Sequence, residues 1–78
     1  MAIISKINKN NNNYTMKGEL SFCEAEYYEY HYQNEKYVRI RTFGSDERQN
    51  KGKASQVIHL NHSTAEKLVE LLKDSFDL

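Results

Sequence analysis

At 78 residues the chain has room for one small domain, 1–78, burying roughly 60–65% of the surface that its unfolded form exposes. Its 11 basic and 11 acidic side chains cancel, so no field of one sign covers the molecule. The lone cysteine, Cys23, excludes an internal disulfide, and no run of about 18 apolar residues is present to cross a membrane.

The start has an apolar run too short for a signal peptide and no cleavage-site pattern, so a cytoplasmic protein is expected. The absence of proline and the many asparagines fit an AT-rich coding genome, as in a low-GC bacterium, plasmid or phage.

Residues 2–7, AIISKI, are β-branched and apolar and read as a first strand. Residues 8–13, NKNNNN, form a polar low-complexity connection. Over residues 14–22, Tyr14, Met16, Leu20 and Phe22 alternate with Thr15, Lys17, Glu19 and Ser21, which predicts a half-buried strand. Gly18 marks a bulge or a close backbone approach within it. Cys23 reads as a small buried hydrophobe rather than a nucleophile, since no base stands near it in the sequence.

Residues 27–43, YYEYHYQNEKYVRIRTF, hold five of the six tyrosines and read as a hairpin. With Asn34 and Glu35 as the turn, Tyr32 faces Tyr37, Tyr30 faces Arg39 and Tyr28 faces Arg41. One face then carries Tyr28, Tyr30, Tyr32, Tyr37, Arg39, Arg41 and Phe43. Tyr27, Glu29, His31, Val38, Ile40 and Thr42 occupy the other. Glu26 lies on the aromatic face, diagonal to Arg41 in this register, within reach of an ion pair.

A polar stretch, GSDERQNKGK, follows at 44–53, and residues 55–60, SQVIHL, predict another strand. Ser63 and Glu66 fit a capping box, with Ser63 at the N-cap. The helix is expected over 64–75, with Ala65, Leu68, Val69, Leu72 and Phe76 on its apolar stripe and Leu71 beside it. Asp74 and Asp77 fall near its negative end, so a basic group should answer them or the end should fray. The expected fold is α+β: an antiparallel sheet of four to five strands with one C-terminal helix packed on one face. A helix on the Val38 and Ile40 face leaves the tyrosine and arginine face open.

Charge is unevenly placed. Residues 17–35 hold one base against five acids, and residues 36–53 hold six bases against two acids. Aromatic faces stack bases and Lys and Arg meet phosphates in proteins that bind single-stranded nucleic acid. The residues expected at such a site are Tyr28, Tyr30, Tyr37, Arg39, Arg41 and Phe43, with Arg48, Lys51 and Lys53 extending the footprint. Burying the arginines unpaired would be costly, which argues that this face is no ordinary core. His31, His59 and His62 lack the further ligands that complete a metal site, and no cofactor is expected. No phosphate loop or catalytic set stands out, so an enzyme is not expected.

The strand bearing Tyr37, Ile40, Arg41, Thr42 and Phe43 is followed by Asp46 and Glu47. Next come Lys-Gly-Lys at 51–53, Ile58 to Leu60 and a leucine-centred helix. This order resembles the single-stranded DNA-binding domain of the transcriptional coactivator positive cofactor four and its small bacterial relatives. The match covers the C-terminal half and leaves the acidic, tyrosine-rich strand outside it. It implies a homodimer of curved antiparallel sheets whose helices pair, here through Leu68, Leu72 and Phe76. It also implies that Arg39, Arg41, Phe43, Lys51 and Lys53 meet single-stranded DNA in a channel on the sheet.

An alternative is a protein-interaction module, an inhibitor or regulator carried by a mobile element. Its surface would be the acidic strand with Glu24, Glu26 and Glu29 among tyrosines, which are common at interface hot spots.

Overall fold

The computed structural model describes residues 2–44 and 56–78. Four strands and one helix follow in chain order: β1 (Ala2–Ile4), β2 (Glu24–Tyr32), β3 (Glu35–Phe43), β4 (Gln56–Leu60) and α1 (His62–Phe76). They form one sheet in the order β1-β4-β3-β2, followed by the helix. This is an α+β fold, with the strands grouped ahead of the helix. The sheet is mostly antiparallel, but β1 runs parallel to β4, with Ile4 opposite Leu60.

The β2–β3 hairpin turns at Gln33 and Asn34, not at Asn34 and Glu35. Tyr32 faces Glu35, Tyr30 faces Tyr37, Tyr28 faces Arg39 and Glu26 faces Arg41. Both turn residues have positive φ, 51° and 68°. A two-residue hairpin needs that backbone to match the right-handed strand twist, and asparagine tolerates it well. The change of register moves each pairing by two residues, so the faces survive it.

On the β3–β4 side Arg39 faces His59, Arg41 faces Val57, Val38 faces Leu60 and Ile40 faces Ile58. The aromatic face therefore also carries Val57 and His59, and the opposite face carries Ile58 and Leu60.

Residues 5–23 form no regular strand. The strand expected over 14–22 is not paired, and Tyr14, Leu20 and Phe22 are 83%, 78% and 93% exposed. Alternation records which side chains prefer a common face, but a strand also needs a partner to take its amides. Gly18 has φ +89°, a left-handed break in the middle of the segment. Cys23 is exposed rather than buried.

The helix begins two residues earlier than expected, at His62. Asn61, not Ser63, is the N-cap, and its side chain accepts from the Thr64 amide at 2.9 Å. Ser63 instead donates its hydroxyl to Asn61 Oδ1. The helix runs to Phe76, with Lys73 in its last turn to answer the negative end and Asp77 in the left-handed C-cap conformation.

Thr64, 3% exposed, donates its hydroxyl to the Ile4 carbonyl at 2.7 Å and ties the first turn to β1. A cavity bounded by Val38, Leu60, Ser63 and Ala65 places that turn on the Val38 and Leu60 face. Leu60 is the only buried apolar residue among those described.

Candidate nucleic-acid interface

Alternation in β2 and β3, with the observed register, sets Tyr28, Tyr30, Tyr32, Tyr37, Arg39, Arg41 and Phe43 on the face away from the helix N-terminus. Glu24, Glu26 and Glu35 share it. Tyr30 and Tyr37, directly opposed, stack with centroids 5.4 Å apart and planes 18° from parallel. Tyr32 meets Tyr37 edge-on at 6.5 Å. Such pairs hold the rings in place beyond what burial alone provides.

Tyr30 also reaches across β3 to β4. Its hydroxyl lies 2.5 Å from His59 Nδ1, and the two rings meet at 89°. His59 is 9% exposed, and its Nε2 is buried without a hydrogen-bond partner. An unpaired buried polar atom costs roughly 1–3 kcal/mol, so it has much to gain from a polar ligand group.

Tyr28, Tyr30, Tyr32, Arg39 and His59 line a shallow, open depression of about 480 Å³. Tyr28 and Tyr32 expose 40% and 59% of their surface at its edges. The Arg39 guanidinium sits 5.1 Å from the Tyr28 ring centre and donates to the Tyr28 hydroxyl.

Arg41 lies over Tyr28 and Phe43, at 5.9 and 5.0 Å from their ring centres, and pairs with Glu26 directly across the hairpin. These are cation–π contacts, and they fix both guanidinium groups on an aromatic bed. Tyr37 donates its hydroxyl to Glu35. Burial first, then that carboxylate, pushes the Tyr37 hydroxyl above its ordinary range.

Sequence reasoning brought together Tyr28, Tyr30, Tyr37, Arg39, Arg41 and Phe43, and all six lie on this face. Arg48, Lys51 and Lys53 lie outside the described residues. His59 was not expected in the site. Its membership follows from the β3–β4 register, which no local pattern reports. Leu68 and Leu72 are half-buried on α1, and Phe76 is exposed near its end. Among the described residues no group of three His, Cys, Asp or Glu could hold a metal ion. No helix among them is long and apolar enough to cross a membrane.

Of the acidic residues on β2, Glu26 is engaged by Arg41 and Glu29 by Lys36 on the opposite face. Lys36 first hydrogen-bonds and then attracts Glu29, holding its carboxyl below the usual carboxylate range. No family model, curated protein or solved structure matches the chain.

Proposed function

We propose that this chain is a small, non-enzymatic single-stranded nucleic-acid-binding protein, with single-stranded DNA as its preferred ligand, acting as a homodimer of the positive cofactor four type. The observation that supports this most is the open depression rimmed by Tyr28 and Tyr32, floored by Tyr30 and His59 and flanked by Arg39. Alternate residues on a strand are about 6.8 Å apart, twice the 3.4 Å base rise in one stacked strand. Bases laid on successive tyrosines would come from an extended, unstacked strand. Arg39 and Arg41 would meet its phosphates, joined by Arg48, Lys51 and Lys53.

The rival reading, a protein docking on Glu24, Glu26 and Glu29, has less support, because Glu26 and Glu29 already have cationic partners within the sheet. Titration of a labelled oligo-dT at rising salt tests the proposal. Binding should fall as salt rises, and Tyr28→Ala should weaken it about 5- to 150-fold, the loss of one stacked base. Absence of binding at low salt sinks the reading.

A further inference from the structure

We infer that residues 14–22 are a strand that pairs along the free edge of β2 in a second copy of this chain, with the exchange reciprocal between the two copies. The sequence of the segment is that of a half-buried strand, yet the single chain leaves Tyr14, Leu20 and Phe22 exposed and Gly18 left-handed, a glycine break that pairing has to extend. The Tyr14 hydroxyl donates to Met16 Sδ at 3.8 Å, so these two side chains already share one side, as i and i+2 do in extended backbone.

The sheet has a vacancy of matching size. Among the described residues β2 pairs with β3 alone, and its nine residues present an edge as long as the segment. An edge of this length is a template for another strand.

The chain is poorly built to fill its own edge. Only Cys23 separates Phe22 from β2, so folding back demands a tight turn around Phe22 and Cys23. Two-residue hairpin turns require positive φ, which Gly, Asn and Asp supply. Residues 19–26, ELSFCEAE, contain none of them. The β2–β3 turn, by contrast, places an asparagine at one of its two left-handed positions, beside Gln33.

A second copy has no such restriction, and a two-fold arrangement satisfies both edges at once. Tyr14 and Phe22 of both copies bring four aromatic side chains at roughly 150–250 Å² each.

Alternation also sets the facing. Tyr27, 70% exposed, is the β2 aromatic on the side that carries Val38 and Ile40. Alternation carried through the single residue Cys23 puts Tyr14, Met16, Leu20 and Phe22 on the other side, with Tyr28, Tyr30 and Tyr32. Thr15, Lys17, Glu19 and Ser21 then fall on the side of Tyr27.

The inference does not depend on nucleic-acid binding. Amide hydrogen exchange of the full chain, at protein concentrations about a hundredfold apart, tests it. Amides within 14–22 should exchange at least about tenfold more slowly in the concentrated sample and lose that protection on dilution. Leu20→Pro should remove the protection at both concentrations and leave the far-ultraviolet circular dichroism of the sheet and helix intact. Unprotected exchange throughout overturns the inference. Protection that ignores concentration overturns it too, since that means pairing within one chain. Oligo-dT affinity plays no part in the readout, so the two readings fail separately.

Discussion

Arg41 is where the fold and the proposed ligand compete for one guanidinium. It lies over Tyr28 and Phe43 and pairs with Glu26, with 22% of its side chain exposed. The aromatic contacts keep it in place when the carboxylate is removed. Glu26→Gln should therefore release its charge toward a phosphate without moving it. Oligo-dT binding should tighten at low salt, and the log–log salt slope should steepen by about 0.7, one phosphate on a single strand. Unchanged affinity and slope would make Arg41 a structural partner of Glu26 alone. Glu29 offers a second check, of the β2–β3 pairing. Lys36 depresses its carboxyl in the folded chain, so the stability this contributes is present above the unfolded Glu value. It is lost as pH falls through the lower folded value. In a carboxyl-detected titration Glu29 should change charge below an ordinary glutamate, and Lys36→Ala should return it to the usual range. An unshifted Glu29 in the parent chain would show that the pair does not form in solution.

At the scale of the elements, what the sequence revealed depended on parity and what it concealed depended on partners. The two faces of the hairpin were legible because a two-residue change of register leaves parity alone. The register was not, because Gln33-Asn34 and Asn34-Glu35 are both plausible turns until their φ angles are known. His59 was hidden for a related reason, since only pairing across two strands brings it to Tyr30. The helix start was legible to within two residues. The Ser63 and Glu66 pattern competes with Asn61, and the structure resolves it through the Asn61 side chain and the Thr64 amide. Asn61→Ala should therefore cost about 1 kcal/mol, a fall in melting temperature of about 4–8 °C for a domain this size. Ser63→Ala should cost much less. The reverse ranking would restore Ser63 as the cap. The turn can be tested in the stabilising direction. Gln33→Asn with Asn34→Gly should raise stability by about 1 kcal/mol, because both positions are left-handed and glutamine tolerates that poorly.

For the molecule as a whole, the exposure of large apolar side chains among the described residues is the main physical fact. The helix shows where part of it lies. At 3.6 residues per turn, Thr64, Leu68, Leu71 and Ser75 line one side of α1, and Ala65, Val69, Leu72 and Phe76 line the next. Thr64 is buried and Leu68 and Leu71 are half-buried, so the first side faces the chain itself. Ala65 and Leu72 are half-buried as well, but Val69 and Phe76 are 53% and 69% exposed, so part of the expected apolar stripe faces outward. Outward apolar residues on a chain with one buried apolar residue among those described suit a stability that grows with association. If folding is coupled to dimer formation, each tenfold rise in concentration adds about 1.4 kcal/mol per dimer. With an unfolding entropy of about 2.1 cal/mol/K per residue over both copies, the melting temperature should climb about 4 °C per tenfold. Thermal unfolding across a concentration series reads this directly, and Val69→Lys with Phe76→Lys should flatten the dependence. A melting temperature that ignores concentration in the parent chain would mean that the monomer folds alone with Val69 and Phe76 in water. The homodimer would then have to be abandoned, whatever the chain binds.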